Sequence, residues 1–264
     1  MTHKKIGLVL SGGATHGFAQ IGVIKILEEQ GIILDLIVGC SVGSLVGVSL
    51  SSGKKMEEIE KLMLKESIFT FLTPSMGTQG LIKSEKIVTF LLKNINVTTF
   101  EDLKIKLIVN STNLKNGEEI VFEKGPLLPA LSASISIPGI FTPIQHEDKL
   151  LIDGGFYEIA PLHLAKDMDV IILIDVSKFD NDITTKSNML SILKQSVANL
   201  QQHVIDLSIN NLPKHQELIL IRPDISQFRS FEYKKANYLA MIKLGENSAK
   251  KILSEERTRK ILNL

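Results

Sequence analysis

Apolar residues along this chain follow two alternating patterns. The run IGLVL at residues 6–10 is unbroken and stops at Ser11-Gly12-Gly13, as a buried strand does on entering a tight turn. Apolar residues then fall at 18, 21, 23, 24, 26 and 27, with Gln20, Lys25, Glu28 and Glu29 among them and Gly31 behind. That spacing predicts a helix closed by a glycine. The unit repeats at once: residues 34–38 read as a strand, Ser41 sits in a glycine-bounded turn, and residues 43–50 read as a small-residue helix ending near Gly53.

Further along, helical patterns at Met56–Lys65 and 84–94 flank a loop at 73–80, and the region 54–104 reads as a mobile cover. Residues 106–110 and Glu119–Phe122 read as strands, with Asn116-Gly117 as a turn between them. A helix is expected over Leu127–Ser134, a strand near 149–152, a turn at Asp153-Gly154-Gly155 and a helical stretch at 162–166. A buried strand at 170–176, a long helix over Met189–Asn210, a strand at Glu217–Ile221 and a last helix complete the pattern. Strands alternating with helices predict an α/β fold of three layers, α/β/α, around a mainly parallel central sheet. One domain over residues 1–264 is the expectation.

Composition narrows the function classes. With 44% hydrophobic and 22% charged residues, the chain has enough apolar side chains for a core, unlike a disordered chain. Thirty basic against twenty-nine acidic residues leave a net charge of +1, which offers no field to a nucleic acid, so none is expected as a partner. Cys40 is the single cysteine, which excludes an intrachain disulfide and suits a reducing compartment. The first apolar run is too short for a signal peptide, and residues 31–39, interrupted by Asp35, are too short to span a bilayer. A cytoplasmic protein is expected.

Gly39-Cys40-Ser41-Val42-Gly43 has the G-x-S-x-G form between an apolar strand and a small-residue helix. Such a turn projects a serine hydroxyl into open space, and the helix behind it favours developing negative charge. A plain strand-to-helix turn uses the same residue types, so the motif leaves both readings open. The loop Ser11-Gly12-Gly13-Ala14-Thr15-His16-Gly17 offers backbone N–H groups to an anion. A nucleotide phosphate loop would need G-x-G-x-x-G, or a lysine where Phe18 stands; beside a nucleophilic serine the loop reads instead as an oxyanion hole. Asp153, between an apolar strand end and two glycines, is either a turn former or a base for Ser41. Histidines 3, 16, 146, 163, 203 and 215 read as ordinary surface or loop residues rather than a triad base. No metal-ligand spacing is present, and Cys40 reads as a small buried side chain.

Five segments together resemble the patatin-like phospholipases, bacterial members included: LVLSGGATHGFAQIGVIKILEEQGI, VGCSVGS, FEDLKIKLIVNSTNLKNGEEIVF, SASISIPGIFTPI and LLIDGGFYEIAPLHLAKDMDVIILIDV, spread over most of residues 6–177. The resemblance implies a metal- and cofactor-free serine acyl hydrolase with a Ser41/Asp153 dyad. It implies an oxyanion hole from the backbone of Gly12, Gly13 and Ala14, with Gly39, Gly43, Gly154, Gly155 and His16 in support. Phospholipids, lysophospholipids or other acyl esters are the implied substrates, met at a lipid surface that residues 68–72 (IFTFL) and Met76 can touch. Two departures stand out. Ala14 and His16 occupy places where the family loop has glycine and a basic residue, so a constant charge becomes a pH-dependent one. Glu158-Ile159-Ala160 replaces an Asn-containing run before Pro161. These departures motivate the rival expectation, a non-catalytic protein of the same fold that binds an acyl ligand or a partner.

Overall fold

The strands are β1 (Ile6–Leu10), β2 (Leu36–Gly39), β3 (Thr73–Pro74), β4 (Ile82–Lys83), β5 (Lys106–Asn113), β6 (Glu119–Phe122), β7 (Ile144–His146), β8 (Lys149–Asp153), β9 (Val170–Ile174) and β10 (Glu217–Ile221). The helices are α1 (Gly17–Glu29), α2 (Val42–Ser51), α3 (Met56–Lys65), α4 (Glu85–Ile95), α5 (Leu127–Ser134), α6 (Met189–Asn210), α7 (Lys235–Ser254) and α8 (Glu256–Leu262). The computed structural model describes residues 4–65, 73–74, 82–177, 184, 187–230 and 234–264. Strands β10, β9, β1, β2 and β5 are parallel neighbours in that order. Beyond β5 the direction reverses: β8 pairs antiparallel with β5, β7 with β8, and β6 also pairs with β5. The expected mainly parallel sheet is present, then, with an antiparallel edge that delivers residue 153.

Strand pleating sends alternate side chains to opposite faces. Leu8, Leu10, Ile37, Leu107, Val109 and Ile172 face a core built with α1 to α5, α7 and α8. Val9, Leu36, Val38, Ile108, Ile171 and Leu173 face a smaller core closed by Ile159, Ala160, Leu162, Ala165 and Ile205 of α6. Both faces of the parallel strands are dry, which is why these strands read as unbroken apolar runs.

The structure changes part of the reading of residues 54–104. Met56 and Ile59 of α3, and Val88, Leu91, Leu92 and Ile95 of α4, are buried in the main core, so both helices are packed layer rather than cover. The loop between them, with the apolar residues 68–72 and Met76, lies outside the described residues except for Thr73–Pro74, which pairs with β4. The short strand β7 was not expected; it pairs with β8 at the edge of the sheet, and three residues carry too little periodicity to be read.

Candidate active site

The turn after β2 holds Ser41 at φ 52° and ψ −127°, a sparsely populated positive-φ conformation that costs an L-residue roughly 1–3 kcal/mol. The surroundings enforce it. A Cβ on Gly39 would sit 2.6 Å from Gly43 O, and one on Gly43 would strike the Leu10 carbonyl, so the two glycines let the chain fold back beside β1 before α2 begins. Ser41 N donates to Ser134 Oγ of α5 at 3.0 Å, and Ser44 Oγ donates to Ser41 O at 2.7 Å. Cys40 is buried, as expected; burial pushes its thiol well up, with Asp153, Glu119 and Glu158 adding to the rise.

Sheet register brings the carboxylate to this turn. In the parallel part of the sheet Gly39 pairs with Val109. Strand β5 continues past that level, and Ser111 pairs with Asp153 on the returning β8. Asp153 therefore lies two residues beyond Gly39 along the strands, level with Ser41. Its backbone is fixed on two sides and its side chain on a third: Asp153 N donates to Ser136 O at 2.9 Å, Thr112 Oγ1 donates to Asp153 O at 3.0 Å, and Asp153 Oδ1 accepts from Gly155 N at 2.8 Å. Burial drives the carboxyl up to about 7, while the Ser41 side chain and the Gly155 N–H favour its charged form. Oδ2 is buried and has no donor at full hydrogen-bond geometry among the described residues, so the Ser41 interaction is looser than the Gly155 bond. A carboxyl that changes charge near neutrality beside a serine hydroxyl is suited to exchanging a proton with it.

The glycine loop after β1 lies against the same turn, with a Cβ on Gly12 falling 3.2 Å from Ser41 Cβ. One expected oxyanion donor is withdrawn. Gly12 N already donates to Ile159 O at 2.9 Å, in the segment after the Asp153 turn. The N–H groups of Gly13 and Ala14 have no acceptor among the described residues. Ala14 stands at φ 50°, a second positive-φ non-glycine residue. Ser11 Oγ accepts from Val176 N at 2.8 Å and Gln20 Nε2 donates to Ser11 O at 2.8 Å. Thr15 N donates to Ser230 O at 2.9 Å.

Two histidines have partners that the sequence did not show. His16 is buried with Nε2 3.1 Å from Phe228 O, and burial lowers its pKa despite backbone bonds to Phe228 and Val176. It ties the loop to the segment at Phe228, and its burial disfavours the charged form. His163 lies at the surface as expected, its side chain 45% exposed, and is engaged there: Nδ1 lies 2.6 Å from Glu158 Oε2 and Nε2 2.9 Å from Glu119 Oε2. Sequence reasoning also missed Ser134, Asn110 and Thr112. Their one signal was small polar residues in apolar surroundings, as in Asn110-Ser-Thr-Asn113, where the apolar run of β5 ends but the strand does not. Among the described residues no cluster of His, Cys, Asp or Glu is arranged to hold a metal, and no helix is long and apolar enough to cross a membrane.

Fold and turn define an α/β protein with a serine on a strained strand-to-helix elbow, faced by a buried carboxyl and a glycine loop. A family profile described as patatin-like phospholipase matches residues 8–166, and the chain belongs to that family. It is 32% identical over 175 residues to an uncharacterized NTE family protein of Mycobacterium tuberculosis, covering 66% of this chain and 49% of that protein. It is 28% identical over 188 residues to lysophospholipase NTE1 of Pyricularia oryzae, covering 68% of this chain and 12% of that one. The chain thus spans half or less of the length of these relatives. Among solved structures, VipD from Legionella pneumophila shares the fold with a TM-score of 0.62 at 16% identity, over 96% of this chain and 67% of that one. Human GIVD cytosolic phospholipase A2 does so with a TM-score of 0.54 at 12% identity, over 98% and 59%.

Proposed function

We propose that this chain, as one catalytic domain, hydrolyses acyl esters of lipids, phospholipids or lysophospholipids, through Ser41 and Asp153. The observation that carries the reading is the buried Asp153 carboxyl, level with Ser41 and raised to about 7, where a general base at neutral pH works best. The family and its lysophospholipase relatives support the substrate class.

In the proposed reaction the Asp153 carboxylate takes the Ser41 Oγ proton as Oγ attacks the ester carbonyl carbon. Negative charge develops on the carbonyl oxygen, where the N–H groups of Gly13 and Ala14 and the N-terminus of α2 favour it. Collapse breaks the bond to the alcohol oxygen, which leaves with the proton held by Asp153. Asp153 then takes a proton from water, hydroxide attacks the acyl-enzyme carbonyl, and Ser41 Oγ departs reprotonated with release of the fatty acid.

The test is turnover of a short p-nitrophenyl ester and a fluorogenic lysophospholipid by wild type, Ser41→Ala and Asp153→Asn, each confirmed folded. Loss on the order of 10³-fold or more in both variants is expected, as for removal of a nucleophile or its base. An inert wild type, or a Ser41→Ala variant that matches it, overturns the reading in favour of an acyl-binding protein.

A further inference from the structure

The turn that follows Asp153 has a second anchor, built from groups that the hydrolytic reading leaves unused. Glu158 ends this turn with its side chain 7% exposed, and the Glu119 side chain at the start of β6 is 11% exposed. Two nearly buried carboxylates so close would repel each other and cost desolvation without a cation. His163 supplies it. Hydrogen bonds to Glu119 and Glu158 raise the imidazole to about 10 against the cost of burial, so it is an imidazolium donating from Nδ1 to Glu158 and from Nε2 to Glu119. Ser208 of α6 donates to the other Glu158 oxygen at 2.7 Å. Asn110 Nδ2 joins the groups from β5, at 3.2 Å from Glu119 Oε1, 3.0 Å from Glu158 O and 3.4 Å from Gly154 O.

The segment held in this way connects both halves of the site. At its start Gly155 N reaches the Asp153 carboxyl, and Gln201 Nε2 of α6 donates to Gly155 O at 2.9 Å. At its end Ile159, the neighbour of Glu158, accepts the Gly12 N–H of the glycine loop. Displacing Glu158 therefore displaces the carboxyl end of the turn and the loop end together. We infer that Glu119, Glu158 and His163 are positioning residues, a charged clamp that sets the Asp153 carboxyl and the Gly12–Ala14 loop in register with each other. Their action on turnover rests on the proposed hydrolase reading; their hold on the two segments does not.

The experiment uses the full chain with His163→Ala, His163→Gln and Glu158→Gln. Kinetics on the short p-nitrophenyl ester are expected to show kcat down about tenfold or more in His163→Ala and Glu158→Gln, with KM within about twofold, since the clamp lines neither the serine nor the ester. His163→Gln, which retains a single donor nitrogen without the charge, should recover part of the lost kcat. Hydrogen exchange, read without substrate, should show the bonded amides of Gly12 and of Gly155, Tyr157 and Glu158 losing protection at least tenfold in His163→Ala while β1 and β9 keep theirs. Folded variants with wild-type kcat and wild-type protection overturn the clamp. If wild type is inert yet His163→Ala still loses protection at both segments, the clamp stands and the hydrolase reading falls. Protection unchanged in an active enzyme does the reverse.

Discussion

Ala14 and Ser41 both stand at positive φ, 50° and 52°, in two turns that touch, yet the strain has different standing in each. At Ser41 the side chain is the point of the turn. Glycine would relax the backbone but remove the hydroxyl, so the strain is inseparable from the proposed chemistry. At Ala14 only the N–H faces the proposed oxyanion; the methyl group contributes nothing to it, and the family loop carries glycine there. Positive-φ residues other than glycine in this structure are therefore not of one kind, and what tells these two apart is whether the side chain or the backbone carries the proposed chemistry.

The largest test of that contrast lies beside Ser41. Asp153 is held against its ordinary ionisation, which lies near 3.8 in the unfolded chain against about 7 in the fold. Between those values the folded state binds more protons, so stability falls as pH rises from about 4 to 7 and stays reduced above. Asp153→Asn removes this loss and is expected to be more stable than wild type by a few kcal/mol at pH 8, with the gain vanishing near pH 4 in urea titrations. An equal gain at both pH values would contradict the raised carboxyl. A smaller effect is expected from Ser134→Ala, which leaves the buried Ser41 N–H without its acceptor at a cost of about 1–3 kcal/mol and lowers kcat through the elbow. Wild-type stability in this variant would mean that the Ser41 turn holds itself.

The smallest effects sharpen the comparison most. Ala14→Gly should stabilise by about 0.5–1 kcal/mol, the relief of left-handed strain less the entropy glycine adds to the unfolded chain, and keep activity within about threefold. Ser41→Gly should gain a similar amount of stability and lose activity altogether. Should Ala14→Gly destabilise instead, the methyl group makes a contact that strain does not outweigh, and the distinction between the turns fails.

How much of this was readable in the sequence follows the physics of each element. The parallel strands and their helices were readable because both sheet faces are dry and the apolar runs mark them. Ser41 was readable because its turn needs glycines two residues away on either side. Asp153 was readable as a residue but not as a position, since its level with Ser41 is set by the register of Ser111 on a strand whose polar end, residues 110–113, carries no apolar signal. The engagement of Gly12 by Ile159 and of His163 by Glu119 depends on chain returns over separations of 147 and 44 residues, respectively. No local pattern encodes these.

The central claim is that Ser41 is a nucleophile whose proton goes to Asp153. The most direct measurement is the rate of covalent labelling by a fluorophosphonate across pH 5–9, with the modified residue located by peptide mass mapping. The account predicts one label, on Ser41, at a rate that rises with pH and levels above a midpoint of about 7, and that nearly vanishes in Asp153→Asn. A label on another residue, or a Ser41 labelling rate that Asp153→Asn leaves unchanged, would contradict it.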